Sequence, residues 1–176
     1  MDQAGATNPG GPSRREITMN DTDQRDPQPG RGTIQRMDNI AIVVDDLAAA
    51  RAFFVALGLE LEGEATVEGS AVDRLVGLGG VRSDIAVMRT PDGHGRVELT
   101  RYHTPSSPDG DPHAPANTLG AHRIMFAVED MDAVLDRLRP HGAELVGELV
   151  RYENSYRLCY LRGPAGIIVA LAEQIS

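Results

Sequence analysis

An internal repeat constrains the fold of this chain more than any other feature of its sequence. Shifting residues 39–64 by 84 positions places them on 123–148 without a gap, and nine of the 26 positions are then identical. The first copy opens with DNIAIVVDDL and the second with HRIMFAVEDM. In both copies an apolar strand is followed by an aspartate, Asp46 or Asp130, at the position of a helix N-cap. The repeat therefore predicts two strand–helix units of the same design.

Further strands are predicted after each helix. Gly58 and Gly142 stand where the helices must end, and Pro140 shortens the second helix. The first half then continues with DIAVMRTPDG and RVELTRY, and the second with RLCYLRGPAG and IIVALAE. Turn residues at 91–93 and 163–166 precede the last strand of each half. Each half is thus predicted to contain one strand, one helix and then three strands.

Local composition divides the chain into segments. Residues 1–33 are rich in Gly, Pro and polar residues without apolar periodicity, which is typical of a flexible arm outside the fold. A second stretch of this kind, dense in Pro and Asp, predicts a linker at 105–118. The first module is accordingly expected at 34–104 and the second at 119–176, together forming one domain over 34–176.

Charge and composition exclude several classes of partner. The formal net charge is −9, so we expect neither a nucleic acid nor an anionic membrane surface as a partner, because both require clustered Lys and Arg. No apolar run is long enough to span a bilayer, and the first residues lack the apolar core of a signal peptide. A single cysteine, Cys159, suits a reducing compartment. These features predict a soluble cytoplasmic protein.

The paired modules resemble the vicinal oxygen chelate superfamily, which includes glyoxalase I, bleomycin-resistance proteins and extradiol dioxygenases. The resemblance rests on IVVDDLAAARAFFVALGLEL, FAVEDMDAVLDRLRPHGAELVGE and GPAGIIVALAEQ. It implies an α+β fold in which two tandem βαβββ modules form a cupped mixed β-sheet. It also implies a homodimer and a small-molecule ligand bound in the cup.

In metal-dependent members of the superfamily, the first and last strands of each module place His, Glu or Gln side chains on the floor of the cup. Matching the motifs assigns these positions here to Asn39, Glu98, Arg123 and Ala170. Only Glu98 is a usual metal ligand, since Arg does not lose its proton and Ala has no donor atom. We therefore predict no metal cofactor. If Zn, Ni, Fe or Mn does bind, the expected ligands are Glu98 and His122, which a one-residue slip of its strand would turn towards the cup.

A charge pair is the predicted replacement for the metal. In this hypothesis Arg123 neutralises Glu98, and Asn39 completes the hydrogen bonds of the carboxylate, because a lone buried charge is costly. The ligand-binding surface is predicted to include Asn39 together with the following side chains: Met88, Met125, Tyr156, Arg157 and Tyr160.

Three functions fit this pattern. The first is a metal-free binding protein that holds a small organic molecule without chemistry, similar to bleomycin-resistance proteins. The second is a metal-dependent lyase, isomerase or dioxygenase with an altered ligand set. The third is a metal-free enzyme in which Glu98 acts as a general base and Arg123 as an electrostatic clamp for a developing oxyanion. The sequence leaves all three open.

Overall fold

Two similar modules follow one another in the structure, a computed structural model that describes residues 34, 36–120 and 123–176. The helices and strands that the structure describes all lie within one compact unit, Met37–Ser176. The predicted arm at 1–33 lies outside the described residues. The described helices are all too short or too polar to cross a membrane.

The first module forms a four-stranded sheet covered by a helix. Its elements are β1 (Ile40–Val43), α1 (Leu47–Leu57), β2 (Glu60–Glu68), α2 (Ser70–Val76), β3 (Arg82–Arg89) and β4 (Arg96–Thr104). The strand order is β1-β4-β3-β2, in which β1 runs parallel to β4 and the other pairs are antiparallel. The sheet is therefore mixed, as predicted.

The second module repeats this topology. Its elements are β5 (Arg123–Val128), α3 (Met131–Leu138), β6 (Glu144–Leu145), β7 (Val150–Tyr152), β8 (Tyr156–Arg162) and β9 (Ile168–Gln174). The strand order is β5-β9-β8-β6, and β7 also pairs with β8. The pair β5 and β9 is parallel, like β1 and β4. Two short strands, β6 and β7, thus occupy the place that one long strand, β2, holds in the first module.

The predicted helix ends are confirmed. The carboxylates of Asp46 and Asp130 accept hydrogen bonds from the backbone amides of Ala49 and Ala133, three residues further on, at 2.9 and 3.0 Å. Gly58 ends α1 in the left-handed conformation, with φ of 116°. A short 3₁₀ turn, Arg139–His141, follows α3 at Pro140, where the missing amide hydrogen prevents the α-helix from continuing.

One apolar core serves both modules. It lies between the sheets and the helices, and α1 packs against α3. Phe53 and Phe54 of α1 are fully buried, with ring centroids 5.4 Å apart in an edge-to-face arrangement, which is a favoured geometry for aromatic pairs. Burial of this shared core accounts for the packing of the two modules as one domain.

A helix that was not predicted connects β2 to β3. α2 has no buried residue, and it exposes Leu75 and Val76 to solvent. It begins after Gly69 and ends at Gly77. A helix is predicted from apolar residues that recur on the one face that packs against the core. A seven-residue helix without a buried face does not show that pattern.

Candidate functional site

Each sheet has a helix-covered face and an opposite face, which we call the open face. In β1 the side chains alternate, so that Ile42 is buried in the core while Ala41 and Val43 are exposed on the open face. In β5 the exposed residues are Arg123, Met125 and Ala127. The sharing of one face by residues 39, 41 and 43, and by 123, 125 and 127, follows from this alternation. A strand period of two residues is sufficient to produce it.

The strand register confirms that the predicted floor positions of the two modules correspond. Ala41 is the partner of Glu98 in the β1–β4 pair, and Met125 is the partner of Ala170 in the β5–β9 pair. Met125 stands 84 residues after Ala41, the same shift that relates the two sequence repeats. Glu98 and Ala170 are therefore equivalent positions, and the second module lacks the carboxylate that the first one has.

Two neutral donors hold the carboxylate of Glu98. The Asn39 amide donates from Nδ2 to Oε2 over 3.0 Å, which confirms the predicted contact. The hydroxyl of Thr100 donates to Oε1 over 3.1 Å, a contact that sequence reasoning missed. Thr100 lies two residues after Glu98 and hence on the same face of β4, and this spacing could have identified it. Glu98 is half-buried, and both of these donors are uncharged.

The arginine closest to Glu98 along β4 is engaged elsewhere. Nε and Nη2 of Arg96 donate to the two carboxylate oxygens of Glu62, at 2.6 and 2.9 Å. This bidentate hydrogen bonding lowers the pKa of Glu62, and the same contact raises the pKa of Arg96. Another arginine, Arg89, donates to Glu60 at 3.0 Å. Glu98 therefore accepts its hydrogen bonds from uncharged groups, whereas neighbouring carboxylates have guanidinium partners.

The predicted ion pair between Arg123 and Glu98 is not formed. The Arg123 guanidinium instead lies over the ring of Tyr160, 4.5 Å from the ring centroid. The two residues belong to different sheets, and Arg123 finds an aromatic face on its own sheet, where a cation is attracted to the π electrons. Within the described part of the chain, no carboxylate lies within ion-pair distance of Arg123.

Two predicted ligand-binding residues lie on the opposite side of the sheets. Met88 is fully buried in the core beneath α1, so its prediction as a cup residue is wrong. Arg157 is also misassigned, because it points towards α3 and binds Asp132 at 2.7 and 3.0 Å and Glu173 at 2.9 Å. The Asp132 contact is the main cause of the raised pKa of Arg157. Both residues stabilise the helix-covered face and are not available to a ligand.

The remaining predicted residues share the open face of the second sheet. Tyr160 is the register partner of Ala170, which is the partner of Met125. Tyr156 occupies the same face of β8, four residues before Tyr160, and pairs with Tyr152 of β7. Met125, Tyr152 and Tyr156 are 55%, 55% and 40% exposed. This face thus presents aromatic and apolar side chains next to the guanidinium of Arg123.

The floor residues do not fit the divalent metal of the superfamily. Asn39 offers a weak neutral oxygen, Ala170 offers no donor, and Arg123 carries a positive charge that would repel a dication. Among the described residues no cluster of three or more His, Cys, Asp or Glu side chains could hold a metal ion. His122, the predicted substitute ligand, lies outside the described residues.

A groove that includes Met125 in its lining lies at one end of the open face of the second sheet. It encloses about 520 Å³ between β5, the hairpin joining β3 to β4 and the end of α1. Its walls are mainly apolar and include Ile40, Val97 and Phe126, with Asp92 and Arg96 at its edge. Glu98 and Arg123 are not among its lining residues.

Comparison with known proteins identifies the family. A glyoxalase family protein from Bacillus cereus is 52% identical, with a TM-score of 0.79 over 84% of this chain and 99% of its own. A glyoxalase/dioxygenase from Nostoc punctiforme is 22% identical, with a TM-score of 0.54 over 83% and 95% of the two chains. A genomically encoded fosfomycin resistance protein from Listeria monocytogenes is 14% identical, with a TM-score of 0.53 over 81% and 96%. The last two likenesses concern the fold alone.

No curated protein matches the chain. The family model that matches it covers residues 36–171 and hence both modules. This match agrees with the topology of two βαβββ modules and with the equivalent strand registers of Glu98 and Ala170. The chain belongs to the glyoxalase/bleomycin resistance protein/dioxygenase superfamily.

Proposed function

We propose that this protein binds a small organic molecule against the open faces of its sheets, without the divalent metal used by many of its relatives. The observation that carries the proposal is the composition of the four floor positions. One carboxylate, Glu98, remains there, together with an amide, an alanine and the guanidinium of Arg123. These groups can bind organic ligands through hydrogen bonds, charge and apolar contact, but they are a poor donor set for a metal.

The different characters of the two faces support binding of a molecule with both polar and apolar parts. Glu98 offers a carboxylate whose oxygens each accept one hydrogen bond from the described residues, so lone pairs remain for a ligand donor. The second sheet offers Met125, Tyr156 and Tyr160 beside Arg123. A few polar groups set among apolar side chains are typical of small-molecule sites.

A second copy of the chain is the partner that we propose for this surface. Val43 and Met125, on the open faces of the two sheets, are 48% and 55% exposed, and Tyr152 is 55% exposed. Contact with another copy would remove this apolar surface from water and enclose a ligand. Light scattering coupled to size exclusion should give the mass of a dimer. A monomer mass at micromolar concentration would contradict this part of the proposal.

Family membership is compatible with both binding and catalysis, because the family's name covers glyoxalases, bleomycin resistance proteins and dioxygenases. A metal-free enzyme is a second candidate, supported by the free lone pairs of Glu98. A carboxylate within hydrogen-bond reach of a substrate C–H or O–H can act as a general base. Turnover of a bound ligand, abolished in Glu98→Gln, would distinguish this enzyme from a binding protein.

A thermal-shift screen against metabolites and antibiotics, carried out in the presence of a chelator, tests the main proposal. A ligand that binds the native state raises the melting temperature by mass action. We expect hits whose effect is lost in both Glu98→Gln and Arg123→Gln and retained in Glu129→Gln, which removes an exposed carboxylate from the loop between β5 and α3. Hits that appear only when a divalent metal replaces the chelator would refute metal-free binding.

A further inference from the structure

The open face of the second sheet contains a trough with a floor of small residues. Ala127 of β5 is the register partner of Ala172 in β9, which pairs with Leu158 of β8. Next to this row, Met125, Ala170 and Tyr160 form a second row across the same strands. Adjacent strands lie about 4.8 Å apart, so a methyl side chain leaves space between longer side chains on either side. Ala127 is exposed and Ala172 is half-buried, whereas Ala170 is fully buried, so this space lies along the first row.

A small apolar cavity adjoins this trough beside Tyr160. Its volume is about 160 Å³, and it is lined by Gly147, Glu148, Val150, Leu158, Cys159 and Tyr160. An apolar cavity of about 150 Å³ is large enough to hold benzene. Val150 and Leu158 are register partners, so their side chains point to the same face of the sheet as Tyr160. The cavity therefore matches a single aromatic ring in size and in chemistry.

A positive charge lies within reach of a ring in this position. The Arg123 guanidinium rests on the Tyr160 ring at 4.5 Å, and no carboxylate of the described residues pairs with it. Stacking uses the flat face of a guanidinium and leaves the N–H groups along its edge free to bind an oxyanion. Tyr160 thus contacts both the cavity for a ring and the cation for an anionic group.

We propose that the ligand is an aromatic carboxylate. Its ring occupies the cavity beside Tyr160, against Val150 and Leu158, and its carboxylate accepts hydrogen bonds from Arg123. This inference rests on the proposed function, because it specifies the chemical class of the molecule bound at the open faces. The direction of the charge follows from Arg123, which lacks an acidic partner among the described residues. The other arginine of this face, Arg162, donates to the carbonyls of His113, Ala114 and Gly166.

Benzoate, benzamide and cyclohexanecarboxylate are suitable probes, titrated separately and followed by amide chemical shifts of the ¹⁵N-labelled protein. Benzamide keeps the ring and removes the charge, whereas cyclohexanecarboxylate keeps the charge and removes the aromatic face. We expect benzoate to bind at least about tenfold more tightly than either, since charge-assisted hydrogen bonds and aromatic contacts each contribute on that scale. The shifts should centre on residues near Tyr160.

Arg123→Gln should weaken benzoate about tenfold and leave benzamide unchanged. The matched control is Arg151→Gln, which removes an exposed arginine whose register partner, Arg157, lies on the helix-covered face. Tyr160→Leu should weaken benzoate and benzamide alike. Equal affinity of all three probes, or equal loss in Arg123→Gln and Arg151→Gln, would overturn the inference.

Failure of this inference can be told apart from failure of the proposed function. If the thermal-shift screen yields ligands that depend on Glu98 and Arg123 but benzoate does not bind, the ligand class is wrong and the proposed function stands. If neither benzoate nor any screened compound binds, both are refuted.

Discussion

Replacing Gly166 by Ala should destabilise the protein through a clash with the segment that joins the modules. Gly166 lies in the turn before β9 with φ of +79°, and a Cβ atom built there would be 2.5 Å from Cα and 2.6 Å from the carbonyl oxygen of Pro112. Both atoms belong to the backbone, so the segment around Pro112 would have to move. Arg162 donates to the carbonyls of His113 and Ala114 and would lose these bonds as the segment shifted.

Gly142 provides a matched control. Its φ is also +79°, but a Cβ atom there would have no neighbour within 4 Å. The left-handed conformation alone should cost Ala about 1 kcal/mol at either site. Overpacking against backbone adds about 1–3 kcal/mol, so we expect Gly166→Ala to lower the free energy of unfolding by about 2–4 kcal/mol and Gly142→Ala by about 1 kcal/mol.

Urea denaturation followed by circular dichroism measures both variants against the parent, provided that the transitions are two-state. The difference in unfolding free energy between the parent and Gly142→Ala gives the cost of the left-handed conformation for Ala. The difference between the two variants then isolates the contact with Pro112. Equal destabilisation of the two variants, within about 0.5 kcal/mol, would refute the reasoning that the linking segment is held against the second module.

Two further predictions concern side-chain placement and pH. Met88→Ala should lower the free energy of unfolding by about 3 kcal/mol because it opens a cavity in the core. Met125→Ala, on the open face, should lower it by less than about 1 kcal/mol. Comparable urea midpoints for the two variants would contradict this assignment of faces. Hydrogen bonds from Thr66 and then His103 lower the pKa of Asp84 below its usual 3.8. The ionised carboxylate therefore stabilises the folded state above pH 3.8, and this contribution is lost as the pH falls through the lowered pKa. Thr66→Val should make the loss of folding stability on acidification less steep. An unchanged pH dependence of the free energy of unfolding would refute this role of Thr66.

The repeat allowed the sequence to predict the features that depend on local periodicity. Alternation in IAIVV and IMFAV places one side of β1 and β5 in the core, and it agrees with the floor positions at residues 39 and 123 that the family resemblance implies. Caps and turn residues likewise act within a few positions of where they stand, and the ends of α1 and α3 followed from them.

The face of an apolar strand that points to the core could not be predicted in the same way. β3 carries apolar residues on both faces, so its sequence does not reveal that Met88 faces the helix. Arg157 was predicted beside Tyr156 in one binding surface, but consecutive residues of a strand point in opposite directions. The contact of Arg123 with Tyr160 depends on pairing across β5, β9 and β8, which the local pattern does not encode.

The metal content of protein prepared without a polyhistidine tag tests the central claim most directly. The protein is incubated in turn with Zn, Ni, Fe and Mn, passed through a desalting column and measured by mass spectrometry of the elements. Because Arg123 and Ala170 replace the usual ligands, we predict far less than one equivalent of each metal and no difference between the parent and Glu98→Gln. One equivalent of any of these metals in the parent, lost in Glu98→Gln, would contradict the account.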